Sequence, residues 1–207
     1  MLIGYLGLAA NRFRERWQVD FAAHLTAQEC ELYEAPFAIL EKKCGRERTG
    51  SWWVNPHANP GLRAALARLD RYLVASVAGE QLVWTWIDAG WLPDESLLAV
   101  ARDDDFSQGV LQSRAFATWR QAAAGTHGLV QQLESFPFPW PPRTPYGALT
   151  GIQQDLRFEV ARAVRNGDAA QLDAVIATAY GFPPDLDRGE LLLRLQRLHH
   201  RRREAKK

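Results

Sequence analysis

Trp84-Thr85-Trp86-Ile87-Asp88 opens a stretch that continues through Ser96-Leu97-Leu98-Ala99-Val100, Arg102-Asp103-Asp104-Asp105-Phe106 and Gly109-Val110-Leu111-Gln112-Ser113-Arg114, and closes at Phe136-Pro137-Phe138-Pro139-Trp140. Its first part holds two short apolar runs bounded by glycine and charged residues, the pattern of strands. After the acidic triplet, Val110, Leu111, Ala115, Phe116 and Trp119 recur at helical spacing, which predicts one helix over Phe106–Ala123. Three adjacent carboxylates invite a magnesium reading, but consecutive side chains do not converge on one cation. A strand end whose last aspartate, Asp105, caps the helix from Ser107 fits better, so no metal site is expected. Prolines 137, 139, 141, 142 and 145 exclude a helix from the end of the stretch.

Upstream, Tyr72-Leu73-Val74-Ala75-Ser76-Val77-Ala78 and Gln81-Leu82-Val83-Trp84-Thr85-Trp86-Ile87 predict two more strands, with Gly79-Glu80 between them as a hairpin connection. Asn55-Pro56-His57 and Asn59-Pro60-Gly61 read as turns leading to a helix over 62–69, with Leu62, Leu66 and Leu69 on one face. Thr26 and Glu29 have the spacing of a capping box, and Pro36 predicts a kink or two short helices behind it. Trp17-Gln18-Val19-Asp20-Phe21 alternates with period two and predicts a half-buried strand, preceded by Arg12, Arg14 and Arg16. Downstream of the prolines three helices are predicted, over 150–165 (Ile152, Leu156, Val160, Val164), 169–179 and 187–203 (Leu191, Leu192, Leu195, Leu198 inward).

With 207 residues, 47% of them hydrophobic, the chain is long enough to bury a full core. A net charge of +1 supplies no global attraction for nucleic acid, so any such binding needs a local patch. Cys30 and Cys44 have no metal-ligand spacing and read as free thiols in a reducing compartment. The apolar start, Met1–Ala10, is too short to span a bilayer and lacks the basic start and small-residue cleavage site of a signal peptide. A cytoplasmic location with no membrane partner is expected.

The order Arg102-Asp103-Asp104-Asp105-Phe106, Gly109-Val110-Leu111-Gln112-Ser113-Arg114 with Trp119, then Glu134-Ser135-Phe136-Pro137-Phe138-Pro139, resembles the C-terminal target-recognition region of bacterial adenine-specific DNA methyltransferases of restriction-modification and phage-defence systems. The resemblance extends upstream through Trp17–Phe21, Tyr33-Glu34-Ala35-Pro36-Phe37, the basic segment Lys42–Arg48 and Trp52-Trp53, and downstream through Tyr180-Gly181-Phe182 and the final leucine-rich helix. It implies an α+β fold in which a mixed or antiparallel-sheet target-recognition domain, 1–145, is followed by a small all-helical C-terminal extension, 146–207. Two family features are missing. The hairpin that is basic in relatives reads Ser76-Val77-Ala78-Gly79-Glu80-Gln81 here, and the stretch from Gly125 to Leu133 has no Arg-Tyr-Thr loop, leaving His127 as a plain loop residue.

The family's chemistry requires a glycine-rich loop after a strand to hold S-adenosylmethionine and an Asn/Asp-Pro-Pro-aromatic loop for the flipped adenine. Gly4-Tyr5-Leu6-Gly7 opens no helix, and neither Asn-Pro turn matches the second loop. No catalytic or cofactor-binding residue is therefore assigned, and S-adenosylmethionine is expected to bind a methyltransferase domain or subunit outside this chain. The expected partners are double-stranded DNA and that catalytic partner, with the chain a separated, truncated or split specificity module. Candidate DNA contacts are Lys42, Lys43, Arg46 and Arg48, joined by Arg12, Arg14, Arg16 and Arg114, because clustered cations neutralise phosphates whatever the sequence. The basic loop also suits plain solvation, and the terminal cations from His199 to Arg203 suit a helix dipole as well as DNA. Trp52-Trp53 reads as core before it reads as a base-stacking pair. A degenerate remnant that no longer reads DNA and a protein-interaction domain are the alternatives.

Overall fold

Leu2–Ala9 (β1) and Arg12–Val19 (β2) pair antiparallel along their whole length, from Leu2 opposite Val19 to Ala9 opposite Arg12. This is seen in a computed structural model that describes residues 2–9, 12–21, 24–44, 50–54, 59–78, 82–142 and 144–205. The strand read at Trp17–Phe21 thus begins already at Arg12, and its partner β1 was not read as a strand at all. β1 is central, flanked on its other edge by a parallel pairing of Tyr5 with Leu92 and Leu6 with Pro93. A strand covered on both faces is apolar throughout and shows no alternation. Glycine permits the covering: a Cβ on Gly4 would lie 2.6 Å from the Trp91 ring, and the Asp94 carboxylate fills the space beside Gly7. Gly4-Tyr5-Leu6-Gly7 is therefore strand with neighbours packed against it, and no phosphate-cradling loop.

The second sheet is antiparallel and has the order expected of a strand, a hairpin return and a third strand. Arg71–Ser76 (β3) lies between Thr85–Asp88 (β4) and Leu97–Val100, with Leu92–Pro93 (β5) and Leu97–Val100 (β6) numbered in chain order. Tyr72, Leu73, Val74 and Ala75 are buried on both faces of β3. Leu6, Leu66, Tyr72, Val74, Ile87 and Leu97 form one core, with Leu62, Leu69 and Trp91 packed on it. The Gly79-Glu80 connection lies outside the described residues. Thr26 closes the capping box with Glu29 over Ala27–Glu31 (α1), and Glu34–Cys44 (α2) follows. The break falls at Leu32-Tyr33, so Pro36 sits in the first turn of α2, where its missing N–H costs no helical bond. Asn59 caps Pro60–Leu66 (α3).

The remainder is helical: Asp105–Gln112 (α4), Arg114–Ala122 (α5), Leu129–Ser135 (α6), Gly151–Asn166 (α7), Ala169–Tyr180 (α8) and Arg188–Glu204 (α9). The single helix expected over Phe106–Ala123 is two, because Ser113 adopts extended backbone between them while its hydroxyl donates to the Val110 carbonyl at 2.7 Å. The cap of α4 is Asp104, one residue before the aspartate expected, and accepts from the Ser107 N–H and hydroxyl. α6 was not anticipated. Ile152, one of the apolar residues that predicted the helix, is exposed, while Val160 and Ala163 are buried on α7. Gly109 sets the approach of α4 to α7, since a Cβ there would lie 2.3 Å from Val160 Cγ1.

By compactness the chain forms one unit of 1–78 with 85–101 and another of 79–84 with 102–207. The compact division falls near 101 because α4 and α5 pack on α7, α8 and α9; it is a division by packing, distinct from the functional division expected at 145. Among the described residues no helix is long and apolar enough to cross a membrane.

Candidate nucleic-acid interface

Alternation along β2 separates its side chains into two rows. Arg12, Arg14 and Arg16 stand opposite Ala9, Gly7 and Tyr5 on one face, about 7 Å apart at two strand residues per step. Phe13, Glu15 and Trp17 occupy the other face, where Trp17 lies 5.3 Å from the Trp91 ring. All six are exposed, as an edge strand allows. Lys42 and Lys43 are exposed in the last turn of α2, whose negative dipole end suits them. α2 is held against the end of β2 by a cluster of Val19, Phe21, Cys30 and Phe37, joined by Leu40, Trp52 and Trp53. The first unit thus gathers five of the sequence candidates on two elements that touch. Arg46 and Arg48 lie outside the described residues.

Acidic groups temper this surface. Arg14 and Arg16 line an open groove of about 440 Å³ together with Asp94 and Glu95. Asp94 is fixed there by the backbone N–H and hydroxyl of Ser96, and the Ser96 hydroxyl in turn accepts from the Leu8 N–H at 2.8 Å.

Arg114 belongs to the second unit and has a local task. Its backbone N–H donates to Asp173 at 2.7 Å and its guanidinium to the Leu186 carbonyl at 2.8 Å, tying α5 to α8 and to the connection before α9. The resemblance motifs of this unit likewise build structure. Phe106 stacks on Trp140 with ring centres 4.4 Å apart, Phe136 packs edge-on to Phe116 at 5.0 Å, and Asp104 pairs with Arg157 at 3.3 Å. The proline-rich segment has few N–H groups, and its carbonyls are met by side chains. Tyr180 donates to Pro137, His199 Nδ1 to Ser135, and Arg202 to both Phe138 and Pro139. Burial pushes the Tyr180 hydroxyl well above its ordinary pKa and lowers that of Arg202.

One buried polar cluster escaped the sequence reading. Asp20, 2% exposed, accepts from the Arg63 guanidinium and from the Tyr5 hydroxyl, and Arg63 also donates to Tyr5 at 2.8 Å. Burial opposes the Arg63 charge, but the hydrogen bond and charge of Asp20 outweigh it and raise the pKa; Tyr5 is raised chiefly by burial and then by Asp20. The signal was Asp20 itself, a carboxylate in the buried end of an alternating strand. Among the described residues no group of three or more His, Cys, Asp or Glu side chains is placed to hold a metal ion.

No protein-family model matches the chain, and no curated protein matches it in sequence. Among solved structures the chain is similar to the Type IIL restriction-modification enzyme MmeI, solved in complex with DNA, with a TM-score of 0.56 and 11% identity over 97% of this chain and 31% of that one. The chain spans less than a third of that enzyme, and at this identity the likeness is one of fold.

Proposed function

We propose that the chain is the DNA-binding specificity module of an adenine-specific, S-adenosylmethionine-dependent DNA methyltransferase of a restriction-modification or phage-defence system. The observation that carries the reading is the fold likeness along 97% of the chain to part of a restriction-modification enzyme solved with DNA. The motif order from Arg102 to Pro139 supports it independently. In this reading the module sits on duplex DNA in the cytoplasm and acts with a methyltransferase domain or subunit. That partner binds the cofactor and flips the adenine. Arg12, Arg14 and Arg16 on β2 and Lys42 and Lys43 on α2, with Arg46 and Arg48, supply phosphate contacts that set register, while specificity comes from base edges.

The net charge of +1 and the carboxylates beside Arg14 and Arg16 favour a second reading, a remnant or protein-interaction domain that has lost its DNA surface. Duplex binding followed by fluorescence anisotropy across a salt series separates the two. The module reading expects measurable affinity at low salt, with a log–log slope of about 0.9 per neutralised phosphate. Replacing the seven cations by alanine should flatten that slope and weaken all sequences alike. No binding of the unmodified chain at low salt selects the remnant reading.

A further inference from the structure

A further set of exposed cations lies on α9. Arg194, Arg197 and Arg201, with His200 and Glu204 from the same helix and Phe182 from the connection before it, line an open groove of about 550 Å³. The five α9 residues are exposed, and none of the three arginines forms an ion pair with another described residue. Three arginines against Glu204 leave the groove at +2 with His200 neutral. Like charges three and four residues apart repel along a helix face, so the isolated helix bears an electrostatic cost that a polyanion would relieve. The apparent terminal run His199–Arg203 is divided by the fold: His199 and Arg202 fasten the proline-rich segment, whereas Arg201 faces the groove.

We propose that this face of α9 is a phosphate-contacting surface for one strand of duplex DNA, an inference that rests on the specificity-module reading. Arg194 to Arg201 spans seven residue steps, about 10 Å of helix, the axial length of about three phosphates on one strand of B-DNA. Guanidinium is the group suited to this task, because its planar fork meets phosphate oxygens two at a time. Phe182 stacks on Tyr180 at 5.1 Å and lies under Arg194 at 5.6 Å, so it floors the groove and holds the arginine stem. The groove is shallow and lacks the deep apolar pocket in which a protein partner seats an anchor residue, and this favours a phosphate backbone over an acidic peptide.

The test measures binding of the full chain to labelled duplexes and to a poly-glutamate peptide across a salt series, for the wild type and the triple variant Arg194→Ala, Arg197→Ala, Arg201→Ala. The expected result is a duplex salt slope lower by about 2.7, three contacts at about 0.9 each, with every sequence weakened alike and the circular dichroism unchanged. The triple lysine variant should keep most of the slope. An unchanged duplex slope in the alanine variant, while the β2 and α2 cations still matter, overturns this inference and leaves the module reading standing. A variant that loses the peptide but keeps the duplex also overturns it. Absence of duplex binding by the wild type overturns both.

Discussion

Gly109 and Asp173 show how single positions are set by what lies against them. At Gly109 a methyl group would meet Val160 Cγ1 at 2.3 Å, Leu172 Cδ1 at 3.1 Å and Val164 Cγ2 at 3.2 Å. Alanine would gain about 1 kcal/mol of helix propensity. Overpacking costs about 1–3 kcal/mol and prevails here because Val160, the nearest contact, is fully buried. Gly109→Ala should lower the urea midpoint, and adding Val160→Ala should recover part of the loss; a midpoint raised by Gly109→Ala alone would refute the close crossing. At Asp173, burial raises the carboxyl pKa above its ordinary value, against the lowering effect of the Arg114 N–H and charge. A raised folded-state pKa means that the folded form holds the proton more tightly. The contribution to stability is therefore full below the unfolded pKa and lost as pH rises through the folded one. Asp173→Asn keeps an acceptor for the Arg114 N–H and removes the charge. It should raise the melting temperature at neutral pH, with the gain vanishing below about pH 3.9; equal gains at both pH values would point to packing instead.

At the scale of elements, the proline-rich segment at 136–145 is built from outside itself. Prolines cannot donate, so the segment makes no ladder; Tyr180 and Arg202 from α8 and α9 bond the carbonyls of Pro137, Phe138 and Pro139, and His199 bonds that of Ser135 just before it. Tyr180→Phe leaves the Pro137 carbonyl without its donor in a buried setting and should cost about 1–3 kcal/mol, read from chemical denaturation; a change below a few tenths would show that water replaces the hydroxyl. Hydrophobic period and caps made β3, β6, α1 and the tail helices legible in the sequence. Besides the short α6, three features were not legible, for different reasons. β1 is covered on both faces and so shows no alternation, β5 is two residues long, and the break at Ser113 lies inside an apolar spacing that continues unaltered from Val110 to Trp119. The arginines at 12, 14 and 16 were found as a cluster, but their placement on one face of a strand follows only from the register with β1. On α9, Arg201 was read within the terminal run, whereas its grouping with Arg194 and Arg197 and the diversion of Arg202 to carbonyls 63 and 64 residues away were not.

For the whole molecule, the fold bears on the proposal that S-adenosylmethionine binds a separate catalytic partner. A methyltransferase holds S-adenosylmethionine at a glycine-rich turn between a strand and a helix, where open backbone N–H groups meet the ligand. The glycine pair nearest the N-terminus, Gly4 and Gly7, instead lies within β1, with Trp91 and Asp94 occupying the space above it and both strand edges paired. Asn59-Pro60-Gly61 is the cap and first turn of α3, with the Asn59 carboxamide oxygen accepting the Leu62 N–H at 2.9 Å, so it is not presented to a base. Calorimetric titration of the chain with S-adenosylmethionine should accordingly give no binding heat, with or without duplex DNA, and the chain alone should transfer no methyl group to adenine. In the specificity-module reading, in which the cofactor binds the partner, duplex affinity should be independent of the cofactor. A micromolar dissociation constant for S-adenosylmethionine, or a cofactor-dependent change in duplex affinity, would place a cofactor site within this chain and refute the proposal that a separate partner supplies it.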